Sequence, residues 1–230
     1  MKTLGLIGGM SWESTVPYYR TINQVVREQL GGLHSARLLL HSVDFDEIAR
    51  LQRAGDWEAL AGAMADAAHS LKAGGAQLLV ICTNTMHKVA DVVEATSGVP
   101  LLHIADPTGD AIRARGFTRI GLLGTRFTME QEFYRQRLGE RHGLEVLVPD
   151  AEERELVHHV IYDELCQGVI RDSSRAQYRR VMDALVARGA QGIILGCTEI
   201  GLLVGEGDAS VPLFDTTALH ARAAALAALA

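Results

Sequence analysis

One strand-like pattern occurs twice in this chain of 230 residues, at a constant offset of 114 residues. Residues 75–85 read GAQLLVICTNT, and residues 189–199 read GAQGIILGCTE. Each copy is an apolar, β-branched run that ends in small polar residues and a thiol, which is typical of a buried parallel strand. Ligands bind at the carboxyl ends of strands in open parallel sheets. The repeat therefore predicts two similar halves, each presenting polar groups at the carboxyl end of a buried strand.

Strand-like and helix-like segments alternate along the whole chain, which is typical of α/β proteins with parallel sheets and crossover helices. We expect two pseudo-symmetric, doubly wound lobes with parallel sheets and an active-site cleft between them. Residues 1–115 are expected to form the first lobe and residues 116–215 the second, while a C-terminal helix over 216–230 completes the first lobe. Strands are expected at 3–8, 36–43, 77–82, 101–104, 119–124, 144–149, 192–196 and 212–214. Helices are expected at 13–30, 56–73, 86–96, 107–115, 129–141, 152–167, 173–188 and 216–230.

Composition excludes several classes of partner. The formal net charge is −6, the pI is about 5.8, and no basic cluster occurs, so we expect no nucleic-acid partner. No apolar stretch is long enough to span a bilayer, and the apolar run at the start is too short for a secretory signal. Three cysteines do not make a disulfide scaffold. We therefore expect free thiols, no membrane partner and a cytoplasmic location.

The histidines do not indicate a metal site. His158 and His159 are neighbours on a predicted helix and therefore point in different directions. His103 with Asp106 lacks further ligands at a usable spacing. We expect no bound metal.

The glycines of residues 5–9 match neither the dinucleotide fingerprint nor a P-loop. They indicate a tight turn that brings Met10 and Ser11 close to a small ligand. Residues 120–125 resemble this opening, so Thr125 lies at the matching turn of the second half. These three residues are candidate substrate contacts.

The two copies of the repeat align Thr83 with Cys197, and Cys82 with Gly196. Successive strand residues face opposite sides of a sheet, so Thr83 rather than Cys82 is predicted to face the ligand. Cys197 precedes Thr198 and a predicted helix N-terminus, an environment that we expect to lower the pKa of the thiol.

Small polar residues follow both aligned positions, Asn84 and Thr85 in the first copy, and Thr198 and Glu199 in the second. Such residues cap helices, and the exposed backbone amides at a helix start attract a carboxylate. A capping role alone is the alternative. Cys166, within a predicted helix, is expected to be a small buried hydrophobe.

With these elements the chain resembles the cofactor-independent aspartate/glutamate racemase family. The matching motifs are Gly-Gly-Met at 8–10, Asn-Thr-x-His at 84–87 and Gly-Cys-Thr-Glu at 196–199. The resemblance covers essentially the whole chain, and the residues that flank the motifs are most similar to the broad-specificity amino-acid racemase branch. Two departures stand out. Thr83 occupies the position where aspartate racemases of the family usually carry the first catalytic cysteine, and Cys166 occupies that of a lysine that grips the substrate.

The resemblance implies an isomerase that interconverts L- and D-amino acids by thiol-based proton removal and return, without pyridoxal phosphate or another cofactor. It implies Thr83 and Cys197 as catalytic residues on opposite faces of the α-carbon, with Cys82 as a further assistant. The candidate substrate-binding residues are Met10, Ser11, Gln52, Asn84, Thr85, Thr125, Glu164, Thr198 and Glu199.

Three other functions stay open from the sequence. A decarboxylase of the same superfamily would need a single catalytic cysteine. An aspartate/glutamate-specific racemase would share the mechanism, and an amino-acid binding module would use the thiols only structurally. Apolar helices beside a shared cleft lead us to expect a homodimer.

Overall fold

The computed structural model describes residues 1–230, which divide into two compact units. The first unit comprises Met1–His103 with His220–Ala230, and the second comprises Ile104–Leu219. Each unit contains one parallel sheet, so the predicted α/β fold with two parallel sheets is confirmed. No helix combines the length and the apolar composition needed to cross a membrane.

The sheet of the first unit has the strands β1 (Leu4–Gly8), β2 (Leu38–Ser42) and β3 (Leu78–Ile81), in the order β2-β1-β3. Leu4 pairs with Leu38 on one side and with Leu78 on the other. Because all three strands are parallel, their carboxyl ends meet at one edge of the sheet. The helices of this unit are α1 (Trp12–Leu30), α2 (Phe45–Ala54), α3 (Trp57–Ala73), a 3₁₀ helix (Thr85–Val89) and α4 (Ala90–Ser97).

Side chains along β3 alternate between two apolar clusters, one on each face of the sheet. Leu79 and Ile81 belong to the cluster formed with α3 and α4. Val80 and Cys82 belong to the cluster formed with α1 and residues 220–230. The strand is therefore buried on both faces, as its continuous apolar run predicts.

The sheet of the second unit has the strands β4 (Arg119–Gly124), β5 (Glu145–Leu147), β6 (Ile193–Gly196) and β7 (Leu213–Asp215), in the order β5-β4-β6-β7. One apolar cluster of this unit includes residues from β4 and β6 and from the helices around them. The helices are α5 (Ala105–Ala114), α6 (Arg126–Glu130), α7 (Glu132–His142), α8 (Ala151–Asp163), α9 (Asp172–Ala187) and α10 (Ile200–Leu203), with 3₁₀ helices at Leu165–Gln167 and Glu206–Asp208. The last helix, α11 (Thr216–Leu229), begins in the second unit, but its residues from His220 onward belong to the first unit.

The repeated sequence forms the same local structure in both units. Gln77 accepts a hydrogen bond from the Thr3 N–H through Oε1 at 3.0 Å, and its own N–H donates to the Thr3 carbonyl at 2.8 Å. Gln191 accepts from the Thr118 N–H at 2.8 Å, and its N–H donates to the Arg119 carbonyl at 3.0 Å. Each glutamine thus bonds the start of its repeat to the neighbouring strand. These bonds fix the register of the two strands, and the polar residues of the repeat follow at the carboxyl end.

Several elements differ from the expectation. Leu101 makes only a single bridge with Leu79, where a strand over 101–104 was expected. Helix α2 fills a segment in which no element was expected, and Asp44 caps it by accepting from the Asp46 N–H at 3.1 Å. The helix expected at 129–141 is divided between α6 and α7 at Gln131.

The boundary between the units lies after His103, whereas we expected it after residue 115. Helix α5 packs with the second unit because Asp106 accepts two hydrogen bonds from Arg137 on α7, at 2.6 and 2.7 Å. Ile112 of α5 is buried in the apolar cluster of the same unit.

Candidate active site

The turn after β1 holds Met10 and Ser11 in the interior of the first unit. Gly9 has a φ of +90°, and a Cβ at this position would lie 2.4 Å from the Val43 carbonyl oxygen, so the turn requires glycine. The Gly9 N–H donates to Thr15 Oγ1 at 2.9 Å, and the Thr15 hydroxyl donates to the Ser11 carbonyl at 2.9 Å. These bonds fix Met10 and Ser11 at the carboxyl end of β1.

Thr83, Asn84 and Thr85 follow the carboxyl end of β3. Thr83 is half-buried, whereas Asn84 and Thr85 are buried. Thr85 begins the 3₁₀ helix, in which the His87 N–H donates to the Asn84 carbonyl at 3.0 Å. Cys82 lies instead in the apolar cluster with α1, where burial raises the pKa of its thiol. That location separates Cys82 from the polar strand end, so its suggested role as an assistant has no structural support.

Three buried histidines pack beside the Thr83 backbone. His87 Nδ1 donates to the Thr83 carbonyl at 2.7 Å, and its ring centroid lies 4.6 Å from that of His103 and 5.5 Å from that of His220. Burial lowers the pKa of His87 well below its usual value, and His103 and His220 lower it further. His87 is therefore neutral near pH 7.

Gln52 on α2 is buried in the first unit, and its Nε2 donates to Met86 Sδ at 3.3 Å. Met86 belongs to the 3₁₀ helix that begins at Thr85. The structure thus brings Gln52 next to the polar end of β3, on a helix that the sequence analysis did not predict.

In the second unit, three side chains donate to one carboxylate beyond the end of β6. Cys197 Sγ donates to Glu199 Oε2 at 2.9 Å, and Thr198 Oγ1 donates to the same oxygen at 2.7 Å. Cys166 Sγ donates to Glu199 Oε1 at 3.7 Å. We call these four residues the Glu199 cluster. Its carboxylate is an acceptor shared by two thiols and a hydroxyl.

This environment raises the pKa of Cys197 well above its usual value, so the lowered pKa expected from the sequence is wrong. Burial is the largest cause, and the charge of Glu199 and the neighbouring Cys166 raise the pKa further. The helix that follows, α10, has only four residues and supplies a weak dipole. Cys197 therefore carries its proton in the resting molecule.

Cys166 reaches Glu199 because α8 ends at Asp163, earlier than expected, and a 3₁₀ helix follows. Burial and the Glu199 carboxylate raise the pKa of the Cys166 thiol. Tyr178 on α9 is buried nearby, and its hydroxyl donates to the Val157 carbonyl at 3.0 Å. Burial is the largest cause that raises the pKa of the Tyr178 phenol, and the ionisable groups of Cys197, Glu164, Cys166 and Glu199 raise it further.

Glu164 and Thr125 have structural contacts within the second unit. Glu164 Oε2 accepts from Ser174 Oγ at 2.7 Å, and its Oε1 accepts from Arg171 Nη1 at 3.3 Å. Thr125 caps α6, because its Oγ1 accepts from the Thr128 N–H at 3.3 Å. A substrate-binding role for either residue stays a prediction.

Comparison with known proteins identifies the family. The family model described as Asp/Glu/Hydantoin racemase matches residues 7–224. The chain belongs to this racemase family. Because racemases are isomerases, this racemase is an enzyme of the isomerase class, as the sequence motifs implied.

Relatives cover the whole length of the racemase. It is 22% identical to the broad specificity amino-acid racemase RacX of Bacillus subtilis (strain 168) over 226 residues, which cover 95% of each chain. A crystallised candidate Asp/Glu racemase from Yersinia pestis is 63% identical, with a TM-score of 0.92. An aspartate racemase homologue from Pyrococcus horikoshii OT3 is 35% identical, with a TM-score of 0.84. Both structural alignments cover 100% of each chain.

Two features of the racemase were not predicted from the sequence: the contact of Cys166 with the Glu199 carboxylate and the histidines packed around His87. Cys166 lies 33 residues before Glu199, and only the break after α8 brings them together. His87 carried a signal in the Asn-Thr-x-His motif. His103 and His220 carried none, because they come from segments far apart in the chain.

Proposed function

We propose that this racemase interconverts L- and D-amino acids by removing and returning the α-proton. The observation that carries the proposal is the hydrogen bond from Cys197 Sγ to Glu199 Oε2 at 2.9 Å. A thiol paired with a carboxylate that can accept its proton is an acid–base device, and this one follows a central strand. Thr83, at the aligned position of the first unit, is proposed to serve the second face of the α-carbon.

The raised pKa of Cys197 determines how the cycle begins. As a thiol, Cys197 is ready to deliver a proton to a carbanion. To act as a base it must first pass its proton to Glu199. A substrate ammonium beside the pair favours this transfer, because a nearby opposite charge stabilises the thiolate. Cys197 and Glu199 together therefore provide both protonation states that the two directions require.

Thr83 makes proton removal from the two faces of the α-carbon unequal in rate. A hydroxyl can donate a proton but is a poor base near neutral pH. Free enantiomers have equal energy, so the inequality affects rates and not the equilibrium. Because Cys82 lies in an apolar cluster, we propose that a water molecule acting through Thr83 completes the slower direction.

We propose that Asn84, Thr85 and Thr198 bind the α-carboxylate. All three are buried and lie just beyond the carboxyl end of a buried strand, β3 for Asn84 and Thr85 and β6 for Thr198. Thr85 also begins a helix, where backbone amides attract an anion. Met10, Ser11 and Gln52 are proposed to contact the rest of the substrate.

We propose that amino acids with uncharged side chains are preferred over aspartate. Cys166 stands where aspartate racemases of the family carry a lysine, and the Glu199 carboxylate that it faces would repel a second substrate carboxylate. The Bacillus subtilis relative, named a broad specificity amino-acid racemase, agrees with this preference.

The test is α-deuterium exchange in heavy water, followed by NMR across L- and D-amino acids that include homoserine, aspartate and glutamate. We expect exchange from both enantiomers of at least one amino acid, fastest for uncharged side chains. Cys197→Ala is expected to reduce the rate at least about 10³-fold. Cys82→Ala, which removes a thiol from an apolar cluster, is expected to stay within about threefold of the native rate.

Exchange that survives in Cys197→Ala would refute Cys197 as the acid–base group. Carbon dioxide release from a substituted malonate, without exchange of any amino acid, would show a decarboxylase instead. Binding of amino acids without exchange, together with unhindered alkylation of Cys197, would show a binding module.

A further inference from the structure

The turn that follows β3 is held by His87 at two points. The His87 backbone N–H donates to the Asn84 carbonyl at 3.0 Å, and its ring atom Nδ1 donates to the Thr83 carbonyl at 2.7 Å. On the strand side of the turn, the Cys82 N–H donates to the Ile7 carbonyl at 2.9 Å. The peptide between Thr83 and Asn84 is therefore fixed by the sheet on one side and by the His87 ring on the other.

The second copy of the repeat holds the aligned carbonyl in a different way. Cys197 is aligned with Thr83, and its carbonyl accepts from the Ile200 backbone N–H at 3.1 Å. At the offset of 114 residues His87 is aligned with Gly201, which has no side chain. The histidine is thus specific to the half that carries Thr83. This difference indicates a role connected with Thr83 and not with the repeated fold.

The His87 ring is itself fixed by groups from other segments of the first unit. Its centroid lies 4.6 Å from that of His103 and 5.5 Å from that of His220, and all three side chains are buried. His220 Nε2 donates to the Leu102 carbonyl at 2.9 Å, and His220 Nδ1 lies 2.8 Å from the hydroxyl oxygen of Tyr18. Because these partners come from α1, from the segment after α4 and from α11, the ring has little freedom to turn.

A polar cluster at this place favours precision over stability. Buried polar rings need hydrogen-bond partners, and apolar side chains would fill the same space without that requirement. His87 is neutral near pH 7, so it contributes a hydrogen bond and shape but no charge. Displacing a reacting group by about 1 Å can lower a rate about 100-fold. A ring that fixes the Thr83 peptide is therefore expected to affect the reaction rate.

We propose that His87 is a positioning residue for the Thr83 face of the α-carbon. Its ring, packed against two other histidines, keeps the Thr83 peptide in the orientation that directs the hydroxyl to the substrate. The inference rests on the proposed function, in which Thr83 and Cys197 serve opposite faces. The effect of His87 is confined to the Thr83 face, because the Cys197 thiol is paired with Glu199 in the second unit.

The test compares two rates for the amino acid that the native protein exchanges fastest. Chiral chromatography measures interconversion of the enantiomers, and NMR in heavy water measures exchange with retention of configuration, which needs only Cys197. His87→Leu removes the ring nitrogen and is expected to slow interconversion at least about 10-fold, through kcat, with KM and retention exchange within about threefold of the native values.

Two further variants are matched to His87→Leu. His87→Asn has nearly the same shape as the leucine variant but places an amide N–H where Nδ1 lies, so it is expected to recover most of the rate. His69→Leu is the control, because it removes an exposed ring that lies 3.2 Å from the Thr96 carbonyl, and it is expected to leave both rates unchanged.

A double variant separates positioning from a general loss of structure. If His87 acts through Thr83, the variant that combines Thr83→Ala with His87→Leu is expected to interconvert the enantiomers within about twofold of the rate of Thr83→Ala alone. Tyr18→Phe keeps an aromatic ring but removes the hydroxyl beside His220. It is expected to fold, which circular dichroism checks, and to slow interconversion while retention exchange persists.

Three results would overturn the proposal: multiplied losses in the double variant, equal losses from both faces in His87→Leu, or a His87→Asn variant as slow as His87→Leu. If His87→Leu does not fold, a Tyr18→Phe variant with no face-selective loss overturns it instead. A native protein that exchanges no amino acid would refute the proposed function, and this inference with it, before any variant is compared.

Discussion

Thr83 and Cys197 hold equivalent positions in the repeat, yet one carries a hydroxyl and the other a thiol paired with Glu199. We predict that Thr83→Cys brings the exchange rates of the two enantiomers to within about threefold of each other, because a thiol can act as both acid and base. Thr83→Ala is predicted to slow interconversion about 100-fold in both directions, whereas exchange with retention persists for the enantiomer that presents its α-proton to Cys197. Deuterium uptake measured separately from each pure enantiomer checks both outcomes. If Thr83→Ala left interconversion unchanged, or slowed exchange from both enantiomers equally, Thr83 would not be the second acid.

His87 makes stability depend on pH. Burial, and then the neighbouring His103 and His220, lower its pKa in the folded state below the unfolded value of about 6.5. As pH falls below that value, the unfolded chain takes up a proton that the folded chain resists, so the free energy of unfolding is predicted to decrease. Urea unfolding at pH 7.5 and pH 5 measures this loss. His87→Asn is expected to reduce the pH-dependent part of this loss. Parallel pH profiles for native and His87→Asn would contradict the assignment.

At the scale of single elements, the turn after β1 depends on its glycine. A Cβ at Gly9 would lie 2.4 Å from the Val43 carbonyl oxygen, in addition to the strain of a φ of +90°. Gly55, at the end of α2, also has a positive φ of 71°, but nothing lies within 4 Å of its Cβ position. We predict that Gly55→Ala costs about 1 kcal/mol of unfolding free energy, and that Gly9→Ala costs at least about 3 kcal/mol. Chemical denaturation of both variants is the measurement, and equal losses would show that the close contact with Val43 has no effect.

The positions of the strands were predicted more accurately from the sequence than the side-chain contacts of the residues that follow the strands. Periodicity and the repeat located β3 and β6, because a buried parallel strand leaves a continuous apolar run. Helix α2 was not predicted, since its polar sequence gives only a short amphipathic pattern. The pKa of Cys197 was predicted in the wrong direction because its environment depends on the Glu199 side chain and on Cys166, which approaches only after α8 ends early. Such through-space contacts leave no local pattern in a sequence.

At the scale of the molecule, residues 220–230 belong to the same compact unit as the N-terminal residues. Residues 220–230 pack with the first unit, where Ala221, Ala224 and Ala225 are buried against α1 and the sheet. The Lys2 N–H donates to the Ala228 carbonyl at 2.7 Å. These small side chains allow the terminal helix to lie close to the cluster that contains Cys82. The first unit is therefore completed only when the last residues of the chain are in place.

We predict that deleting residues 220–230 exposes Cys82 to alkylation and lowers the melting temperature, because the deletion uncovers the apolar cluster around β3. Mass spectrometry of the alkylated peptides measures Cys82 directly, and deletion of Ala230 alone is the control. Ala225→Asp provides a second test in the full-length chain, since it buries a charge against the same cluster. Both variants should make Cys82 more reactive than it is in the native chain. A Cys82 that stays protected in both, with an unchanged melting temperature, would mean that the terminal helix does not cover this cluster in solution.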